Sequence, residues 1–193
     1  MFHSVRAVSS ARLIYTVGPS GAGKDSLLAW LRLTMPAQFN LHFARRCITR
    51  AVQADGEVHE SVDVETFRLL RDSNAFVLNW AANGLHYGVR REELLPLQRD
   101  QWVIVNGSRA YLAEAQSKFP ELRVLHISAS KATLRQRLQA RGRETPDAIE
   151  SRIERAVSLS VSPQTSFIEI CNNGSLDAAG RRLIDLLGDW ITT

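Results

Sequence analysis

The chain has 193 residues, of which 45% are hydrophobic and 23% are charged, and these values favour one α/β domain with small insertions. The net charge is +4, but the arginines are scattered, so small anionic substrates explain the excess better than a nucleic acid does. No apolar run approaches the roughly 20 residues of a membrane span. Cys47 and Cys171 lie in apolar, strand-like segments without metal-binding spacing, so we expect buried free thiols and a cytoplasmic location.

The first predicted elements are a strand over 13–17, a glycine-rich loop, and a helix over 26–34. Glycines let the loop curl so that its N–H groups point into one hollow, and the helix adds the positive end of its dipole. The pattern therefore predicts a site for the phosphates of a nucleotide. The residues predicted to bind the nucleotide are Gly18, Pro19, Ser20, Gly21, Ala22, Gly23, Lys24, Asp25 and Ser26.

One position departs from the G-x-x-x-x-G-K-[ST] pattern of phosphate-binding loops. Asp25 follows the lysine where serine or threonine is usual, and Ser26 comes one residue later. Asp25 and Ser26 are therefore the candidate Mg²⁺ ligands, directly or through water. The alternative is that Asp25 only complements the helix dipole. An ordinary glycine-rich turn is the other interpretation of the whole segment, but the order of strand, loop, lysine and helix favours phosphate binding.

Strands and helices alternate along most of the remaining chain, which predicts a parallel sheet with ligands beyond the carboxyl ends of its strands. The exception is 45–98, an inserted flap with a helix over 64–72, an apolar run over 76–80 and two Gly-centred turns. The predicted core comprises 12–44, 99–140 and 160–193, and 141–159 forms a lid. The other predicted strands are 41–44, 101–105, 122–127 and 167–171, and the other predicted helices are 90–98, 111–119, 131–140, 147–159 and 176–191.

Five segments carry a family resemblance: 18–26, 48–50, 80–89, 105–110 and 134–144. With them the chain resembles the guanylate-kinase-like branch of P-loop kinases, and within it the ribose 1,5-bisphosphate phosphokinase family, over nearly its whole length. The resemblance implies a P-loop NTPase three-layer α/β sandwich of the nucleotide-kinase type. Such a fold has a central parallel sheet of about five strands with helices on both faces. ATP and Mg²⁺ are the implied cofactors.

Arginines after residue 130 are candidates for the lid. Arg137 and Arg141 are four residues apart on a predicted helix and so share one face, and Arg143 and Arg152 follow. Arginine suits phosphoryl transfer because its planar fork holds two phosphate oxygens. By resemblance, Arg137, Arg141 and Arg152 match the lid arginines of guanylate kinases, whereas the alternative is a solvated, arginine-rich face. Asn172, with Asn173, is a weaker candidate for the edge of the adenine pocket.

The acceptor side resembles a guanylate kinase from which base recognition has been removed. Arg50 and Tyr87 match groups that bind the acceptor phosphate, and the carboxylate that reads guanine would fall near Asn79. An amide there accepts with one oxygen and brings no charge, which weakens selection for guanine. Further charge for a second phosphate would come from Arg109, which we favour, or from Arg45 and Arg46, which are equally well explained as solvated residues of the flap.

Two histidines and two tryptophans have simpler interpretations. His59 and His86 of the flap are more often packing or surface residues than substrate contacts, and Trp80 and Trp102 are expected in the core.

The resemblance implies transfer of the γ-phosphoryl of ATP to the 1-phosphate of ribose 1,5-bisphosphate, which forms 5-phosphoribosyl 1-diphosphate. The expected partner is a phosphorylated sugar, with neither nucleic acid nor membrane, and a homodimer stays open. Phosphonate breakdown is the implied pathway. The alternatives are a guanylate kinase, another small-metabolite P-loop kinase, and a non-catalytic interaction module, against which the intact loop and lid arginines argue.

Overall fold

The computed structural model describes residues 9–51, 57–140, 142, 145–158 and 166–192. A five-stranded sheet forms its centre, in the order β2-β7-β1-β8-β9, and every pairing is parallel. Apolar residues on both faces of the strands over 13–17 and 102–106 explain why these two are buried throughout between two layers. The strands are β1 (Leu13–Val17), β2 (Leu41–Phe43), β7 (Trp102–Asn106), β8 (Arg123–Ser128) and β9 (Phe167–Cys171).

Alternate residues of the central strands enter two separate hydrophobic clusters. One cluster joins the sheet to α1, α4, α5 and α6, and the other joins it to α3 and to a second, smaller sheet. The result is an α/β sandwich of the P-loop NTPase type, with helices on both faces of the sheet. The helices are α1 (Lys24–Thr34), α2 (Val64–Asp72), α3 (Leu112–Lys118), α4 (Lys131–Ala140), α5 (Pro146–Ser158) and α6 (Leu176–Thr192).

The second sheet has four strands in the order β4-β3-β6-β5, all of which fall within 45–98. Its strands are β3 (Arg46–Ile48), β4 (Glu60–Ser61), β5 (Phe76–Ala82) and β6 (Leu85–Arg90). Asn83 and Gly84 both have positive φ, 51° and 74°, as a tight two-residue hairpin between β5 and β6 requires. The apolar run at 76–80 and the turn at Asn83-Gly84 were recognised in the sequence, but neither the hairpin nor the sheet was predicted.

The predicted strands of the central sheet are confirmed to within a residue or two. The predicted helix over 90–98 is present, but it is a 3₁₀ helix over Arg91–Arg99, and it begins one residue later because β6 continues to Arg90. Arg90 pairs with Phe76 across the hairpin, and Pro96 lacks the N–H that an α-helix needs there. Short 3₁₀ helices also occur over Ala37–Phe39 and Arg109–Tyr111.

The two cysteines differ in their environment. Cys47 is buried and free, as predicted, but the expectation of a buried Cys171 is wrong because its side chain is exposed. The strand β9 lies at the edge of the sheet, where Ile168 and Ile170 face the core, whereas Glu169 and Cys171 face solvent. Along the described part of the chain, no helix combines the length and the apolar character that crossing a bilayer requires.

Candidate active site

The glycine-rich loop between β1 and α1 adopts a conformation that depends on its glycines. Gly18 and Gly23 have φ values of 155° and 84°. A Cβ on Gly18 would lie 2.1 Å from the carbonyl oxygen of Ile127, and one on Gly23 would lie 2.5 Å from Nδ2 of Asn172. Neither position accepts a side chain, so the loop packs directly on β8 and on the segment after β9.

Lys24 begins α1 and turns back over the loop. Its Nζ donates to the carbonyl oxygens of Gly18, at 2.8 Å, and Pro19, at 3.2 Å. Burial lowers the pKa of Lys24 to about 8. The negative charge of Asp25 acts to raise this pKa, and the positive charge of Arg46 lowers it further. The ammonium group is therefore held at the loop with little solvent around it, where the phosphates of a nucleotide could replace the carbonyl oxygens.

Asn172 lies beneath the loop, with 2% of its surface exposed. Its Nδ2 donates to the carbonyl oxygen of Ala22 at 2.8 Å, so it supports the loop backbone from behind. The Asn173 side chain bonds instead to the backbone N–H of Ser130 and to Sγ of Cys171. The structure thus places Asn172 against the loop rather than at the rim where an adenine edge was expected.

Two of the predicted lid arginines reach the same loop. Arg137 in α4 donates to the Ala22 carbonyl oxygen at 3.3 Å, and Arg152 in α5 donates to Oγ of Ser20 at 3.4 Å. The predicted lid residues Arg141 and Arg143 lie outside the described residues.

An open cleft of about 380 Å³ adjoins the loop and extends to the second sheet. Five of its described lining residues are cationic, whereas Asp25 is the only carboxylate among them. This imbalance suits a ligand with several negative charges. The cationic residues are Lys24, Arg46, Arg50, Arg109 and Arg152, and the other lining residues are Gly18, Pro19, Ser20, Trp80, Ala82, Asn83, Tyr87, Asn106, Gly107, Ser108 and Ala110.

Arg50 stands out among the cations because, within the described residues, no hydrogen bond or ion pair engages its guanidinium. Its Nε is also buried without a partner there. A buried donor without an acceptor is costly, so the position favours an anionic ligand.

Arg109 follows β7 at the same cleft, and burial lowers its pKa. Arg45 lies outside the cleft lining, with 54% of its side chain exposed, near Glu93.

The predicted acceptor residues Tyr87 and Asn79 lie on opposite faces of the second sheet. Tyr87 stacks on Trp80 with ring centroids 5.5 Å apart, and both residues line the cleft. Because side chains alternate along β5, Asn79 lies on the other face, and it pairs with Gly88 rather than lining the cleft. The structure therefore brings Tyr87 to the cleft and does not bring Asn79 there.

The flap histidines have structural surroundings. His59 is buried and bonds through both ring nitrogens to the carbonyl oxygens of Glu57 and Arg50, and His86 stacks on Phe67. Trp102 is buried, as predicted, whereas Trp80 is buried and also forms part of the cleft wall. The dual role of Trp80 was missed, because only the pairing of β5 with β6 places it beside Tyr87.

Arg46 is a buried and paired cation of the cleft, and it is not the solvated residue that the sequence allowed. Its Nε and Nη2 donate to the two carboxylate oxygens of Glu57, and its guanidinium lies 5.1 Å from the Tyr87 ring centroid. Burial acts to lower the Arg46 pKa, but the hydrogen bonds and charge of Glu57 outweigh it and raise that pKa. The sequence offered no signal for Glu57.

Asp25 and Ser26 carry oxygen atoms of the kind that Mg²⁺ prefers. The Asp25 side chain is 58% exposed at the cleft, and its Oδ1 accepts a single described hydrogen bond, from Nδ2 of Asn106 at 2.7 Å. Ser26 is exposed beside it and lines a small polar hollow at the loop. The exposed carboxylate next to Lys24 fits a magnesium ion that accompanies a nucleotide.

Proteins of known name resemble this chain closely. The ribose 1,5-bisphosphate phosphokinase PhnN of Thiobacillus denitrificans is 40% identical over 94% of this chain and 95% of its own length. The protein of the same name from Pseudomonas paraeruginosa is 40% identical over 93% and 96%. A longer one from Janthinobacterium is 44% identical over 92% of this chain, which spans 39% of that protein. The chain belongs to the ribose 1,5-bisphosphate phosphokinase family.

The fold agrees with that membership. A crystal structure of guanylate kinase from Anaplasma phagocytophilum superposes with a TM-score of 0.63 at 17% identity, over 94% of this chain and 86% of that one. This likeness concerns the fold alone. No protein-family model matches the chain. As a member of its family the chain is a kinase with a P-loop.

Proposed function

We propose that this protein transfers the γ-phosphoryl group of ATP to the 1-phosphate of ribose 1,5-bisphosphate, forming 5-phosphoribosyl 1-diphosphate and ADP. The observation that carries the proposal is the cationic cleft that joins the phosphate loop to Arg50 and Tyr87, with Asp25 as its only described carboxylate. An acceptor with two phosphates and no base matches such a lining. The names of the family's proteins, at about 40% identity, support the same reaction.

The donor side consists of the loop, Lys24 and the arginines of α4 and α5. Backbone N–H groups and Lys24 bind the triphosphate, and Arg137, Arg152 and the predicted Arg141 neutralise charge on the transferred group. Asp25 and Ser26 would hold the magnesium ion, which would offset the negative charge of the phosphates. The small residues between Gly18 and Gly23 let the phosphates approach the backbone.

The acceptor side consists of Arg50, Tyr87 and Arg109. Arg50 and Tyr87 bind one phosphate of the sugar, and Arg109, which lines the same cleft, binds the other. The attacking oxygen belongs to a phosphate that is already ionised near neutral pH, so no general base is needed. Alignment and charge neutralisation then account for the catalysis, and closure of the predicted lid (141–159) and flap (45–98) over the core excludes water.

A cytoplasmic location and a role in phosphonate breakdown belong to the same proposal, and the free thiols of Cys47 and Cys171 support the location. The guanylate kinase alternative rests on the fold alone.

The direct test offers ATP and Mg²⁺ with ribose 1,5-bisphosphate and with GMP in separate assays, and follows ADP release together with the phosphorylated product. We expect turnover of the sugar bisphosphate and none of GMP, with loss of all turnover in Lys24→Met. Turnover of GMP without turnover of the sugar bisphosphate would refute the proposal.

A further inference from the structure

Arg46 lies between two carboxylates and is bonded to only one of them. Its Nε is 2.7 Å from Oε1 of Glu57, and its Nη2 bonds to Oε2 of the same residue. The same Nη2 is 3.7 Å from Oδ1 of Asp25, which is beyond hydrogen-bond distance. The side chains of Arg46 and Glu57 are 9% and 14% exposed, so this pair is largely shielded from solvent.

The position of Arg46 decides how much of the Asp25 charge remains available. With Arg46 turned to Glu57, Asp25 keeps an exposed carboxylate whose described hydrogen bond comes from the neutral amide of Asn106. Arg46 and Asp25 already form a long ion pair, and a guanidinium released from Glu57 needs to move only about 1 Å to hydrogen-bond to the Asp25 carboxylate. A guanidinium and a divalent cation would then compete for the same carboxylate.

We propose that Glu57 is a positioning residue that holds the Arg46 guanidinium away from Asp25 and so keeps the Asp25 carboxylate available to the divalent cation of the bound nucleotide. The inference rests on the proposed function, in which Asp25 faces that cation. It assigns to Glu57, which does not line the cleft, an effect on metal binding that depends on the position of Arg46.

The chain contains a matched control pair in the same sheet. Arg90 donates to both carboxylate oxygens of Glu60, at 2.7 Å and 2.6 Å, which is the same two-bond geometry as in the Arg46–Glu57 pair. Neither Arg90 nor Glu60 lines the cleft. Glu60→Gln therefore removes a carboxylate from an equivalent ion pair of the second sheet without releasing a cation toward Asp25.

The test measures ADP binding by calorimetry at a series of Mg²⁺ concentrations, and also without Mg²⁺. Suppose that the Arg46–Asp25 distance shortens from 3.7 Å to about 2.8 Å. At an effective dielectric constant near 20, the stronger attraction between the two side chains lowers the affinity of Asp25 for Mg²⁺ about tenfold. We therefore expect Glu57→Gln to raise the apparent dissociation constant for Mg²⁺ about tenfold and to leave the Kd for ADP without Mg²⁺ unchanged. Glu60→Gln should leave both quantities at the wild-type values.

A second substitution separates release of Arg46 from simple loss of charge. Adding Arg46→Gln to Glu57→Gln removes the competing guanidinium and should return the Mg²⁺ constant to the wild-type value. Adding Arg45→Gln instead gives the same net charge but leaves Arg46 in place, so the constant should stay raised. Because the rescued double variant carries a neutral pair, it also shows that the raised constant does not come from misfolding.

Three results would overturn the proposal: an unchanged Mg²⁺ constant in Glu57→Gln, an equal rise in Glu60→Gln, or rescue by Arg45→Gln as well as by Arg46→Gln. Wild-type ADP binding that does not depend on Mg²⁺ would overturn both this proposal and the role of Asp25. The measurement contains no acceptor, so failure of the sugar-bisphosphate assay alone counts against the proposed acceptor and not against the role of Glu57.

Discussion

The lowered pKa of Lys24 predicts that nucleotide binding takes up a proton at alkaline pH. In the empty protein burial lowers this pKa to about 8, so at pH 8 about half of the Lys24 side chains are neutral. Bound phosphates stabilise the charged form and raise the pKa again. Binding should therefore take up about 0.5 proton at pH 8 and about 0.9 proton at pH 9, and almost none at pH 7.

The protonation equilibrium of Lys24 also sets how much affinity for ADP is lost as the pH rises. If only the protonated lysine binds, the apparent Kd for ADP rises with pH by about twofold at pH 8 and about elevenfold at pH 9, relative to low pH. The assay is calorimetry of ADP binding in pairs of buffers with different ionisation enthalpies, since the dependence on buffer gives the number of protons taken up. ADP has lost its phosphate protons in this range, so the uptake belongs to the protein.

Lys24→Met is the control, because it removes the titrating group and should abolish both the uptake and the pH dependence. The reasoning would be refuted by an uptake near zero at pH 9 in the wild type, or by an unchanged uptake in Lys24→Met. The sign of the linkage also affects folding: the folded pKa lies below the unfolded one, so the empty protein should gain stability as the pH rises from about 8 toward 10.5.

Three further predictions follow from the geometry of the loop and the cleft. Gly18→Ala should destabilise the protein by about 2–4 kcal/mol in thermal unfolding, because the added Cβ meets a backbone carbonyl oxygen, whereas Gly174→Ala, in open space, should change little. Arg50→Met should raise the KM for the acceptor about 100-fold and leave ATP binding unchanged, because Arg50 lines the cleft and Arg45, the control for the same substitution, does not. An equal effect of both arginine variants would contradict this. Asn79→Glu should create no GMP turnover, since this position lies on the face of β5 away from the cleft; appearance of that activity would mean that the side chain reaches the acceptor.

Most of the donor site could be predicted from sequence because it is contiguous. The strand β1, the glycine loop and α1 follow one another over 13–34, so the residues of the loop and Lys24 lie in one short segment. The acceptor side was predicted less completely. The match to a family pattern placed Asn79 in the acceptor site. The pairing of β5 with β6, however, decides which face of β5 lines the cleft.

Local pattern alone therefore determined the alternation of strands and helices and the phosphate loop, because apolar periodicity and glycine spacing act over short stretches of chain. Tertiary structure alone decided that the flap forms a four-stranded sheet, that Trp80 lies beside Tyr87, and that Arg46 lies between Asp25 and Glu57. These three arrangements join residues from separate strands and loops. Their distances and charges depend on strand register and on burial, neither of which a single segment of sequence contains.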